Sequence, residues 1–191
     1  FNYETLDEYV DGIVSLANVV SQLDGVRLII RFRPIDGLTP EELKTLLPKC
    51  GSYSIASEGD FASYLSITDL LVSFSSTTME EALQNNIPVL LYNKYNRYKH
   101  ISGMGLSPDE PKIEASAVYN VNREADLHFG LDWIFKNHLF QDTDVENLFN
   151  KYQFAERDCN ALSTVMKQAV LKESNSSATV SELDRTISPS S

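Results

Sequence analysis

The sequence DLLVSFSSTTMEEALQNNIPVLLYN (residues 69–93) has two apolar runs on either side of a hydroxyl-rich turn and a short amphipathic segment. The runs, 70–74 and 89–92, are short and almost wholly apolar, which is typical of strands that are buried on both faces. The segment between them, TMEEALQNN, is typical of a helix. Two buried strands joined through a helix form a β-α-β unit, so this stretch predicts a parallel sheet.

The same alternation of helices and strands extends in both directions. Upstream, apolar residues at helical spacing predict a helix over 5–23, and VRLIIRF (26–32) predicts a buried strand. The other predicted elements are helices in TPEELKTLL, DFASYLSI and READLHFGLDWIFKNHL, strands in YSIAS (53–57) and AVYNV (117–121), and an irregular stretch over 94–116. The sequence therefore predicts an α/β fold, a Rossmann-like three-layer domain with a parallel sheet flanked by helices.

The pattern changes beyond residue 141. Only helical periodicity is found over 142–172, and the final stretch, 174–191, is Ser-rich and short of large apolar residues. Such a composition cannot bury enough apolar surface to offset the entropy of ordering. We therefore expect one domain over 1–173, with its core at about 5–140 and C-terminal helices at 142–172, and a flexible tail over 174–191.

Composition narrows the class of protein. A net charge of −11 argues against a general nucleic-acid-binding face, and no apolar run reaches the roughly 20 residues that a membrane helix needs. Cys50 and Cys159 match no Cys/His metal spacing, so we expect neither a disulfide nor a metal site. The chain begins at Phe1 with an acidic amphipathic stretch rather than a signal peptide. We expect a cytoplasmic protein, represented here by part of a longer polypeptide.

The hydroxyl-rich turn is a candidate anion site. It consists of Ser75, Ser76, Thr77 and Thr78, between a predicted strand and a predicted helix. In parallel α/β sheets, ligands bind where strands end and helices begin, because free N–H groups and the helix dipole favour an anion there. A diphosphate would fit, and the carboxylate of Glu81 suits hydrogen bonding to a ribose diol. The alternative is that one hydroxyl caps the helix and the acids are favourable first-turn charges.

Basic residues gather after the next strand. In NKYNRYKHISGMG (93–105) they are Lys94, Arg97, Lys99 and His100. A basic loop at the same edge of the sheet would add positive charge to a phosphate site. The alternative is a solvated loop whose tyrosines pack locally.

The stretch 69–93 resembles the nucleotide-binding segment in the C-terminal half of GT-B glycosyltransferases and their relatives. These include the non-hydrolysing UDP-N-acetylglucosamine 2-epimerases and the CDP-glycerol glycerophosphotransferases. Their pattern is an Asp, an apolar strand, a small-residue turn, Glu-Ala and then G-x-P-V; here it is matched by Asp69, 70–74, Ser75-Ser76-Thr77, Glu81-Ala82 and 86–89. Upstream, LIIRFRP is similar to a strand and turn that end in His-Pro in these families, with Arg33 in place of the His.

The resemblance implies a role for each matched position. The turn, Ser75 to Thr78, would contact the diphosphate of a nucleotide-linked donor, with anion binding by Arg33 in addition, and Glu81 would hold the ribose hydroxyls. The turn lacks the Gly pair of the epimerases, which favours a transferase.

The implied protein is the donor-nucleotide-binding half of a glycosyltransferase of bacterial surface-polysaccharide biosynthesis. Its substrate would be a nucleotide-activated sugar or polyol, and it would need no cofactor. Catalytic groups would come from an N-terminal half of the same polypeptide, so this part alone would be inactive, and the full-length protein could associate peripherally with a membrane. Two alternatives stay open, a non-catalytic α/β regulatory or interaction module and a UDP-sugar epimerase-like domain.

Overall fold

The computed structural model describes residues 5–32, 38–73, 76–92, 94–95, 101–110, 112–138 and 148–152. All of them belong to one unit, Phe1–Tyr152. The fold is α/β with parallel sheets flanked by helices, as predicted. Of the predicted C-terminal helices only 148–152 is described, and the boundary at 173 and the predicted tail lie outside the described residues.

The helices and strands follow the predicted order. They are α1 (Leu6–Val20), β1 (Leu28–Arg31), α2 (Pro40–Leu46), β2 (Tyr53–Ala56), α3 (Phe61–Leu65), β3 (Leu71–Ser73), α4 (Thr78–Gln84), β4 (Val89–Tyr92), β5 (Met104–Gly105), β6 (Val118–Val121) and α5 (Glu124–Asn137), followed by a 3-10 turn, Asn150–Tyr152. The sequence missed only β5 among these strands, because two residues that include a glycine show no alternation.

Side chains cap the first three helices. In α1, Thr5 Oγ1 accepts from the Glu8 N–H (3.2 Å) while the Glu8 carboxylate accepts from the Thr5 N–H (3.0 Å). Thr39 and Glu42 form the same reciprocal pair at the start of α2, and Asp60 caps α3. Each cap satisfies N–H groups that a helix start otherwise leaves unpaired, which fixes where the helix begins.

The strands divide into two parallel sheets. One pairs β1 with β2, and the other has the order β3-β4-β6-β5. In the larger sheet, Leu90 of β4 lies between Val72 of β3 and Tyr119 of β6. We call the side of each sheet at which the strands end the C-terminal edge.

The core lies between the larger sheet and the helices that cover its two faces. All residues of β4 and β6 are buried. Leu90 and Tyr119 pack with residues of α1 and α5, and Leu91 and Val118 pack on the opposite face with α3, α4 and Phe149. The almost wholly apolar character of β4 follows from this burial, since neither face of the strand reaches water.

The turn between α4 and β4 depends on Asn86. Its φ of 59° lies in the left-handed region, which costs most L-residues about 1–2 kcal/mol but is tolerated by Asn and Gly.

We expect Asn86→Ala to be less stable than Asn86→Gly by about 1 kcal/mol. Both variants lose the Asn side chain, so the difference isolates the backbone conformation, and at an ordinary φ the order would be reversed. Urea unfolding of the two variants measures it. Equal stability, or a more stable Ala variant, would contradict a left-handed turn.

A polar pair is buried near the start of β6. The hydroxyl of Tyr119 lies 2.6 Å from Nδ1 of His138 and accepts from the Ser116 N–H (2.9 Å). Burial raises the pKa of Tyr119 to about 12 and lowers the pKa of His138, whose Nε2 has no hydrogen-bond partner. Burial therefore favours the neutral form of His138 in the folded protein.

Acid should weaken the fold through His138. Because its pKa is lowered only in the folded state, the unfolded chain binds more protons below about pH 6.5, and stability is lost as the pH falls, by up to about 1.4 kcal/mol per pH unit. The measurement is urea unfolding at pH 7.5 and pH 5.5. We expect His138→Phe to lose less stability than the parent over this interval.

The control is His128→Gln, which removes an exposed histidine of the same helix and leaves the buried pair of Tyr119 and His138 in place, so the loss of stability attributed to that pair should persist. If His138→Phe shows the same pH dependence of stability as the parent, then groups other than His138 cause that dependence.

Candidate functional site

The candidate site lies at the C-terminal edge of the larger sheet. Among the described residues, four connections meet at this edge: the turn from β3 to α4, Lys94 and Tyr95 after β4, the loop that follows β5, and the turn from β6 to α5. Parallel strands bring these distant parts of the sequence to one edge.

The hydroxyl turn is partly described. Ser75 lies outside the described residues, Ser76 and Thr77 are exposed, and Thr78 is half-buried. The Ser76 hydroxyl accepts from the Thr78 N–H (3.3 Å) and the Thr78 hydroxyl (2.9 Å). Ser76 thus satisfies one N–H at the helix start, which is the capping role considered above.

Few donors of this turn remain for a ligand. The Met79 and Glu80 N–H groups bond to the carbonyls of Ser76 and Thr77 (3.2 and 3.1 Å). In the described part of the turn, the donors left without an acceptor are the N–H and hydroxyl of Thr77 and the hydroxyl proton of Ser76. An anion bound here would depend on these groups.

Glu81 lies on the solvent side of α4. Its neighbours Met79, Ala82 and Leu83 are buried and fix the orientation of the helix, so Glu81 is left exposed. Its carboxylate forms no hydrogen bond or ion pair within the described ranges, and it is therefore available to accept from a ligand. The same holds for the exposed carboxylate of Glu80.

The sequence suggested that Lys94 adds positive charge to a phosphate site, but its ammonium is already paired with carboxylates. Its ammonium lies 2.6 Å from Asp11 of α1 and 2.6 Å from Glu124 of α5, and only 24% of the side chain is exposed. The Tyr95 hydroxyl also donates to Asp11. Two carboxylates therefore surround one ammonium, and this cluster (Asp11, Lys94, Tyr95 and Glu124) carries a formal charge of −1.

The hydrogen bonds in this cluster shift its pKa values. Partial burial acts to lower the pKa of Lys94, but the bonds to Asp11 and Glu124 outweigh it and raise that pKa. The bonds from Lys94 and Tyr95 lower the pKa of Asp11. Both residues are therefore charged at neutral pH.

The other predicted basic residues cannot be compared with this geometry. Arg33, Arg97, Lys99 and His100 lie outside the described residues. Their proposed roles in binding phosphate stay predictions.

Sequence reasoning missed Arg123. This residue precedes α5, and its guanidinium lies 2.6 Å from the buried Asp126, 3.1 Å from Asp109 and 2.9 Å from the Ser107 hydroxyl. A basic residue two positions after a buried strand was a usable signal. Like Lys94, it is an edge cation whose charge is compensated by carboxylates.

Arg31 organises the neighbouring edge of the smaller sheet. Its guanidinium donates to the carbonyls of Ala56 (3.3 Å), Glu58 (2.7 Å) and Gly59, and it lies 5.1 Å from the centre of the Tyr64 ring. With its donors directed at backbone carbonyls, Arg31 fixes the loop after β2.

Two further features bear on the site. Across the described ranges, no group of three or more His, Cys, Asp or Glu side chains could hold a metal ion. None of the described helices has the length and apolar character to cross a bilayer.

The Lys94 cluster should stabilise the fold. Lys94→Met would leave Asp11 and Glu124 close together without a counter-charge, at a cost of about 1–2 kcal/mol at pH 7. The effect should shrink towards pH 3, because the pairing lowers the pKa of Asp11 only in the folded parent, and the stability that this contributes is lost as the pH falls below the ordinary Asp value of 3.8 towards the lowered pKa. Urea unfolding at both pH values measures it.

Lys136→Met is the matched control. Lys136 pairs with Asp132 at 2.8 Å on the surface of α5, with 70% of its side chain exposed, so its loss should cost under about 0.5 kcal/mol. Equal effects of the two substitutions on the free energy of unfolding would show that the Lys94 cluster stabilises the fold no more than an exposed ion pair does.

Comparisons of the chain with protein-family models, curated proteins and solved structures give no match. The family resemblance therefore depends on the sequence alone, over residues 69–93 and the segment LIIRFRP.

Proposed function

We propose that the chain is the donor-nucleotide-binding half of a GT-B-like transferase of bacterial surface-polysaccharide biosynthesis. Its substrate would be a nucleotide-activated sugar or polyol. The observation that carries the proposal is the position of Ser76, Thr77 and Glu81, which are exposed together where a parallel strand leads into a helix. Ligands of open α/β sheets bind at such positions.

The turn at Asn86 gives independent support. The resembled families have Gly at the position that corresponds to Asn86, and the φ of this residue is 59°. A left-handed backbone is a physical reason for Gly at that position, and Asn is a common substitute. The φ of Asn86 is therefore one that Gly would adopt equally well, which supports the proposed correspondence.

Each group would have a distinct part in binding. The Ser76 and Thr77 hydroxyls and the Thr77 N–H would donate to phosphate oxygens, and Glu81 would accept from the ribose hydroxyls. Because Lys94 is neutralised by Asp11 and Glu124, positive charge would have to come from Arg33, Arg97, Lys99, His100 or the other half of the polypeptide. Catalysis would consist of stabilising the diphosphate as it leaves, with the base supplied across the cleft.

A non-catalytic interaction or regulatory module is the second candidate. Two observations favour it: Ser76 already caps α4, and Lys94 already has two carboxylate partners. Under this alternative the hydroxyl turn and the edge cations have structural roles only. An epimerase-like domain has no comparable support, because the turn lacks a Gly pair.

NMR titration distinguishes the two candidates. We expect UDP, CDP or GDP, or one of the corresponding sugar nucleotides, to shift the amide resonances of Ser76, Thr77 and Glu81. Glu81→Ala should raise the Kd by about tenfold, because the ligand loses one or two hydrogen bonds to a charged acceptor. The binding should be weak, and no turnover is expected without the other half.

Glu80→Ala is the matched control. It removes the same charge from the same exposed helix turn, so it should change the Kd by less than about twofold. Equal effects of the two substitutions would remove Glu81 from the site. Resonances of the turn that do not shift at millimolar nucleotide would favour the non-catalytic module.

A further inference from the structure

Among the described strands, β1 and β3 are each paired on one side only. β1 pairs with β2 on one side, β3 pairs with β4 on one side, and no described strand pairs with the other side of either. All these pairings are parallel. We call the space bordered by the free sides of β1 and β3 the slot.

The backbone groups that face the slot follow from the known hydrogen bonds. In β1, the Leu28 and Phe32 N–H groups bond to Ser52 and Ala56 on the β2 side. Successive N–H groups of a strand point to opposite sides, so those of Ile29 and Arg31 face the slot.

The same reasoning applies to β3. The Leu71 N–H bonds to the Pro88 carbonyl on the β4 side (3.0 Å), so the Val72 N–H faces the slot. Each border of the slot therefore offers donors and acceptors of an open parallel strand.

The two borders lie in one layer between the same helices. On one face, Leu28 of β1 and Val72 of β3 both pack against the core cluster formed by α1, α5 and the larger sheet. On the other face, Tyr64 of α3 contacts Arg31 of β1, and Phe61 of α3 packs with the cluster that includes Leu71 of β3. The slot thus has helices on both of its faces, as the position of an inner strand has.

Burial indicates that β1 and β3 are covered less completely than the inner strands of the larger sheet, as far as the described residues show. Every residue of β4 and β6 is buried, whereas most residues of β1 and β3 are only half-buried. Parallel strands are normally covered on both faces and paired on both sides when they lie between helices. Two open edges in the middle of a layer are also a liability for aggregation.

We propose that the slot binds one further parallel strand, formed by polypeptide that enters α1 from its N-terminal side. The strand would join the two sheets into one, with the order β2-β1-strand-β3-β4-β6-β5. This inference does not depend on the proposed function.

The direction of α1 identifies the occupant. Asp11, in the first half of α1, contacts Lys94, which follows the end of β4, so α1 begins near the C-terminal edge. A parallel strand in the slot would end at that edge, next to Thr5, whose backbone is extended. The strand, α1 and β1 would then form a β-α-β unit like β3-α4-β4, the connection that parallel sheets use.

Amide hydrogen exchange on the full gene product tests the proposal. We expect the slot-facing amides of Ile29, Arg31 and Val72 to be protected as strongly as the paired amides of Phe32 and Leu71, which serve as references in the same sample. Slot-facing amides that exchange freely while the references are protected would overturn the proposal. Protection that depends on protein concentration would also overturn the proposal, because it would identify a second copy of the chain as the occupant of the slot.

A fusion to the 191-residue chain provides a second test. The segment Val-Ile-Val-Ile-Val is placed directly before Phe1, and the control carries Val-Pro-Val-Pro-Val, which has the same length but lacks two N–H donors. We expect the slot-facing amides to exchange at least about tenfold more slowly in the first fusion than in the control. Equal exchange in the two fusions would argue against a strand that enters α1.

Discussion

The burial of β4 and β6 on both faces is the constraint on which the rest of this structure depends. With every side chain of these strands away from water, each face of the larger sheet needs a helical layer, which α1 and α5 provide on one side and α3 and α4 on the other. Helices on both faces require connections that cross from one end of a strand to the other, and such connections make neighbouring strands parallel. The parallel arrangement then collects the ends of β3, β4 and β6 at one edge, where the polar side chains of the candidate site lie.

The described cations at that edge, Lys94 and Arg123, are each paired with carboxylates. Lys94 joins α1 and α5 through Asp11 and Glu124, and Arg123 joins the start of α5 to the loop at Asp109. These contacts hold separate elements together where the strands end, so they contribute to the shape of the edge. They also mean that a basic residue at a sheet edge is a weak indication of anion binding until its partners are known, since an ammonium between two carboxylates attracts a phosphate little.

Local patterns predicted the elements of this fold, and long-range contacts account for what they missed. The apolar runs and the helical spacing of apolar residues are properties of a few adjacent residues, so the sequence predicted most helices and strands and their parallel arrangement. The division into two sheets depends on hydrogen bonds between distant strands, and β5 is too short to show a period. For the candidate site, the sequence suggested the hydroxyl turn and Glu81, and the structure shows that Ser76, Thr77 and Glu81 are exposed. The sequence could not show that Lys94 is neutralised, because Asp11 is 83 positions away and Glu124 is 30 positions away.

Helix capping and ligand binding are compatible at the hydroxyl turn. The Ser76 hydroxyl accepts from Thr78 and keeps its own proton for another acceptor, and the cap holds the turn in one conformation before any ligand arrives. A net charge of −11 opposes the approach of a diphosphate, but exposed charges more than about 8 Å away are largely screened at physiological ionic strength. The local donors of Ser76 and Thr77, and whatever cations lie within that distance of them, therefore decide whether the turn binds an anion.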